Sequence, residues 1–160
     1  MTHQILIVGD DPHVLDDSKS ILQGEFRVET ACGCKEGLAT VHLLGPFDLV
    51  MAHARMSGLN GVEFLDRVRE LAPHTVRMLL AGPRDRKRAR ATMDEGRIFR
   101  YLTTPCRKEV MVSAIRLGLG RFRANVEAGA RIKEDRERSF YPAGQHSANC
   151  ANTGSAIIGL

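Results

Sequence analysis

The chain has 160 residues, 43% of them hydrophobic and 26% charged, a composition that builds a cored domain and excludes wholesale disorder. Lys plus Arg total 23 against 19 for Asp plus Glu, and the net charge of +4 permits an acidic partner without demanding nucleic acid. No apolar run reaches the ~20 residues of a membrane helix, and the N-terminus lacks the basic region and cleavage site of a signal peptide. The four cysteines, Cys32, Cys34, Cys106 and Cys150, form no CxxC pair, so a cytoplasmic protein without zinc ribbon or disulfide framework is expected.

Gln4 to Val8 is a short apolar run that stops at Gly9-Asp10-Asp11-Pro12. It reads as a buried strand followed by a helix start, with Asp11 as cap and Pro12 where a missing N–H is harmless. That helix carries Val14, Leu15, Ile21 and Leu22 on one face and ends at Gly24. A second strand is expected over Phe26–Ala31 and a helix over Gly33–Leu44, with Leu38, Val41 and Leu44 inward. Phe47–Ala52 is the third strand. After the loop Met56–Gly61, the apolar residues Val62, Phe64, Leu65, Val68 and Leu71 recur at helical spacing up to Pro73. Thr75–Ala81 is a fourth strand. Arg84–Glu95 is a highly charged helix that turns Ala89 and Met93 to the sheet. Ile98–Leu102 is the fifth strand, and the last helix begins after Pro105 and runs to about Arg138.

Five successive βα units predict an α/β fold: a doubly wound, flavodoxin-like parallel sheet of order 2-1-3-4-5, helices on both faces and an extended last helix. Such folds bind ligands at the carboxyl ends of the strands, at the switch point between the first and third. Here those ends are Gly9-Asp10-Asp11, His53, Ala81 and Thr104. Residues 1–125 are expected to form the domain, 126–138 a helical extension and 139–160 a flexible tail, rich in Ser, Asn, Gly and Ala.

Three segments carry a resemblance. Ile5-Leu6-Ile7-Val8-Gly9-Asp10-Asp11-Pro12, Arg55-Met56-Ser57-Gly58-Leu59-Asn60-Gly61 and Arg100-Tyr101-Leu102-Thr103-Thr104-Pro105 stand in order and at matching spacing. Together, over about residues 4–125, they resemble the response-regulator receiver domain of bacterial two-component phosphorelay signalling. In that family a histidine kinase passes a phosphoryl group to an aspartate, with Mg²⁺ at the site. Carried over, the resemblance puts Gly9 where the first acid of a pair stands and Asp10 at the second, with Asp11 as an extra neighbour. It puts His53 at the phosphoacceptor, Ala81 at a phosphate-bonding Ser/Thr and Thr104 at a phosphate-pairing lysine. Tyr101 falls on the switch aromatic and Pro105 on the proline that follows.

An aspartyl phosphate needs a carboxylate nucleophile, which imidazole lacks. Mg²⁺ prefers hard oxygen ligands, and Asp10, Asp11 and a backbone carbonyl near Arg55 are what the site offers. Ala81 donates no hydrogen bond and Thr104 brings no positive charge. The expectation is a pseudo-receiver with no catalytic residue of its own, no cofactor and Mg²⁺ binding lost or weak, acting as an adaptor for a protein partner such as a histidine kinase or another signalling protein. Two alternatives stand beside it: a receiver that still accepts phosphate at low efficiency, and an inactive remnant of a truncated regulator. If His53 pairs with Asp10 or Asp11, its pKa is expected to rise.

Arg84, Arg86, Lys87, Arg88 and Arg90 make a basic run on the fourth helix, within the face that receivers use for partners. It reads either as a contact surface or as a solvated helix face. Nucleic acid is not expected, since no helix-turn-helix or aromatic platform accompanies the charge. Ile115, Leu119, Phe122 and Val126 follow a three-four spacing that suggests a weak homodimer seam, disfavoured by Gly118, Gly120 and Gly129.

Overall fold

The computed structural model describes the backbone of residues 2–140 and the side chains of residues 2–137. Its elements alternate as expected: β1 (Gln4–Gly9), α1 (Pro12–Leu22), β2 (Arg27–Cys32), α2 (Gly33–Leu44), β3 (Leu49–His53), α3 (Gly61–Leu71), β4 (Val76–Ala81), α4 (Arg86–Asp94), β5 (Arg100–Thr103) and α5 (Lys108–Phe140). The five strands are parallel, in the order β2-β1-β3-β4-β5. The chain divides into one compact unit over Met1–Arg123 and another over Ala124–Leu160. Of the tail expected over 139–160, only Ser139 and Phe140 fall within the described backbone, as the end of α5; the rest, with Cys150, lies outside the described residues.

Side chains alternate across the sheet, so each strand feeds two cores. Ile5 and Ile7 join Leu49, Met51, Met78 and Leu80 on the face covered by α1 and α5. Leu6 and Val8 join Val50, Ala52, Leu79 and Ala81 on the face covered by α2, α3 and α4. Burial on both faces explains why β1, β3 and β4 read as continuous apolar runs rather than alternating ones.

Several helix faces differ from the periodic reading. On α1 the buried positions are Leu15, Ser18 and Leu22, while Val14 lies at the surface. On α2 they are Cys34, Gly37 and Val41, and Leu44 is exposed, as is Leu71 at the end of α3. Both leucines are the last residues of their helices. On α4 the inward residues are Ala89 and Thr92, with Met93 only half-buried; the Thr92 hydroxyl is satisfied by donating to the Arg88 carbonyl at 2.8 Å. A short 3-10 turn, Pro83–Asp85, replaces the first expected turn of that helix.

The dimer seam on α5 is corrected most. Ile115 and Leu119 are buried in the first core and Phe122 packs against it. Three of the four seam residues therefore belong to the domain's own interior. The fourth, Val126, is exposed and belongs to the second unit. Gly118 has a positive use here: a Cβ there would lie 2.7 Å from Leu49 Cδ1, so the missing side chain lets α5 approach the sheet.

Candidate functional site

Parallel strands end together, so the loops after β1, β3, β4 and β5 meet at one edge of the sheet. β1 and β3 are neighbours there, with Val8 opposite Ala52 and Gly9 and His53 one step further on. The His53 imidazole lies against Gly9. A Cβ at position 9 would stand 2.6 Å from His53 Cδ2, closer than any real contact. Glycine at 9 and imidazole at 53 are sterically matched: the ring occupies space that a side chain at 9 would need.

The two acids do not reach the imidazole with a hydrogen bond. Asp10 accepts from the Ser57 backbone N–H at 2.6 Å and from its hydroxyl at 2.9 Å. Asp11 caps α1, accepting from the His13 N–H at 2.9 Å. His53 Nε2 is buried and has no partner within the chain. Burial, the dominant influence, lowers the His53 pKa against a smaller upward pull from the charges of Asp10 and Asp11. The expected rise depended on a pair that does not form; desolvation prevails and favours the neutral ring.

The far side of the site is more open. The Thr104 N–H donates to the Ala81 carbonyl at 2.9 Å, which brings the ends of β4 and β5 together, and the Thr104–Pro105 peptide is cis. A cleft of about 390 Å³ lies over them, lined by His53, Leu80, Gly82, Arg84 and Thr104 among others. Tyr101 is half-buried against the second core. Arg84, Arg86, Lys87, Arg88 and Arg90 are all exposed.

Three features escaped the sequence reading. Ser57 appeared there only as part of a motif, yet it holds Asp10. Asp85 stands at the N-cap of α4 without capping it; its carboxylate instead accepts from Arg55 Nε at 2.9 Å and ties the β3–α3 loop to the start of α4. Gly61 follows the Asn60 cap of α3, and a Cβ on it would overlap the His53 carbonyl, so this glycine lets the loop close back onto β3. Only the Gly9–His53 match left a readable signal: once the strand order is known, the two residues must be neighbours. Nearby, Cys34 donates to the Leu59 carbonyl at 2.8 Å, and burial pushes its thiol pKa up, so it is a packed side chain rather than a reactive one. Among the described residues, no group of three or more His, Cys, Asp or Glu side chains could hold a metal ion, and no helix is long and apolar enough to cross a membrane.

Comparison with known proteins bears on the same stretch. Residues 5–116 match the response regulator receiver domain family. The hydrogenase transcriptional regulatory protein HoxA of Cupriavidus necator is 33% identical over 112 residues, covering 70% of this chain and 23% of that protein. The chain spans about a quarter of the length of the curated relatives it matches. Among solved structures, adenylate cyclase from Rhodopirellula baltica superposes with a TM-score of 0.79 at 30% identity, covering 83% of this chain and 98% of that one. A response regulator receiver domain from Clostridium thermocellum superposes at 0.71 with 27% identity, covering 76% and 98%. With the strand order, the site position and the matched residues in agreement, the chain belongs to the response regulator receiver family.

Proposed function

We propose that this receiver is a pseudo-receiver: a module of a two-component signalling pathway that binds a protein partner without accepting phosphate and catalyses no reaction itself. The observation that carries this reading is the packing of His53 over Gly9. Where the family's resemblance puts an acceptor carboxylate and an acid beside it, this chain has an imidazole lying on a glycine. The ring is kept neutral by burial, and position 104, where the resemblance puts a lysine, carries an uncharged threonine.

The residues present do not fit Mg²⁺. Position 9 offers no side-chain oxygen, the imidazole stands on the side of the acceptor, the Asp10 carboxylate already takes two hydrogen bonds from Ser57, and Asp11 caps α1. A hard dication needs several oxygen ligands, and these two engaged carboxylates do not supply them.

The partner is a protein of the same signalling system, a histidine kinase or another component, met in the cytoplasm. The exposed basic run on α4 supports a contact surface of this kind, since such a charge excess is a recognition feature rather than a folding one.

Intact-mass measurement after incubation with acetyl phosphate and Mg²⁺ tests the reading, with a His53→Asp variant beside the wild type. No adduct on the wild type is expected. A phosphate adduct on it would return the chain to the phosphorelay class. Labelling of the variant alone identifies His53 as the main defect, and labelling of neither puts the loss in Gly9, Ala81 and Thr104 as well.

A further inference from the structure

The basic run borders a second cleft, which adjoins the one beside Thr104 and shares Ala54, Arg55 and Asp85 with it. It lies between α3 and α4, has a volume of about 280 Å³, and is floored by Met56, Val62, Leu79 and Ala89. That is just below the ~300–1,000 Å³ of small-molecule pockets and is suited to one inserted side chain. Arg55 and Arg88 stand on its rim. Arg55 is engaged by Asp85, whereas Arg88 forms no ion pair among the described residues; the same is true of Arg84, Arg86, Lys87 and Arg90.

These charges work against the helix that carries them. Its first turn is Arg86-Lys87-Arg88 with no acidic residue and no side-chain cap, at the end where the helix dipole is already positive. Arg86 and Arg90 repel at i,i+4 spacing. The one carboxylate in the run, Asp85, also lines the cleft, where Arg55 engages it. Among the described residues none of these five side chains has an ion-pair partner, which leaves their charge open to an acidic partner.

We propose that the α3–α4 cleft and the basic run together dock an acidic amphipathic segment of a partner protein. One apolar side chain enters the cleft, and carboxylates beside it pair with Arg88 and its neighbours. This rests on the adaptor reading above and names the side of α4 that would be used. The apolar floor favours a protein over a nucleic acid, because a phosphate backbone has nothing to place there. Interfaces concentrate their energy in such an anchor, while surrounding charges set approach rate and choice of partner.

The test uses the full chain, ¹⁵N-labelled, and a short helical peptide with glutamates along one face and a single central leucine. At low salt, amide shifts are expected over residues 54–62 and 84–90, and binding should weaken as salt rises. Arg88→Glu should weaken binding about tenfold or more, the scale of one lost charge pair. Met56→Gln, and replacement of the peptide's leucine by alanine, should each weaken it severalfold. Arg88 is exposed, so Arg88→Glu tests the idea even if Met56→Gln proves poorly folded in a thermal melt. Three results would each overturn the proposal: shifts confined to β5 and α5, affinity unchanged by both Arg88→Glu and loss of the leucine, or tighter binding of a DNA duplex of equal charge. A phosphate adduct in the labelling experiment would sink the adaptor reading but leave this binding measurement to be judged separately.

Discussion

The two halves of the strand-end site are packed in different ways. At the β1–β3 half the space is filled: the imidazole covers Gly9, Ser57 holds Asp10, and Asp11 caps α1. At the β4–β5 half the space stays open: Thr104 lines a cleft with Leu80 and Gly82, while Ala81 is buried in the second core. A filled space couples its residues, because each shape is tolerated only with the other present. An open one leaves its residues independent. Substitutions should therefore be cooperative in the first half and additive in the second.

The strongest test of that contrast lies beside His53. Gly61→Ala would drive a methyl into the His53 backbone carbonyl, and a loss of about 3 kcal/mol is expected, at the upper end for overpacking. Urea denaturation should show it undiminished in a His53→Ala background, since the carbonyl remains. Gly9→Asp meets the imidazole itself. It should cost about 2 kcal/mol in the wild type and markedly less with His53→Ala, a double-mutant coupling of ~1 kcal/mol or more. Strict additivity would break the idea of a matched pair.

Smaller effects sharpen the picture. Ser57→Ala removes one hydroxyl bond to Asp10 and should cost about 1 kcal/mol, measured by thermal melting. The His53 titration should appear as a pH-dependent stability. Its folded pKa lies below the ordinary imidazole value of about 6.5, so the unfolded chain binds its proton first. Stability from this group is full above that value, declines as pH falls below it, and levels off once the folded ring is protonated as well. Urea melts between about pH 5 and 8 should show a steeper decline for the wild type than for His53→Gln; identical slopes would remove the buried-neutral assignment. Smallest of all, Thr104→Lys on the open side should change stability by no more than ~0.5 kcal/mol, with calorimetry as the check.

Much of the fold was legible because parallel strands buried on both faces leave apolar runs that Gly and Pro punctuate. Gln4–Val8, Phe47–Ala52 and Thr75–Ala81 each lie within two residues of an observed strand. Periodicity misled at the ends and flanks of the helices: Leu44, Leu71 and Val14 repeat like core residues but face solvent. It misled again on α5, where Ile115, Leu119 and Phe122 have the spacing of a partner seam but pack inward. Spacing identifies a face and cannot tell which surface covers it.

The site divides along the same line. Sequence alone determined the order of the βα units, and with it the gathering of Asp10, His53, Ala81 and Thr104 at one edge, because chain connectivity and right-handed crossovers leave little freedom. Tertiary structure decided what these residues do to one another. The imidazole rests on Gly9 instead of pairing with an acid, Asp10 turns to Ser57, and Asp85 turns to Arg55 instead of capping α4. Each is a contact within a few ångströms between segments far apart in the chain. Such contacts depend on side-chain direction and on competition between partners, which appear only once the strands are packed.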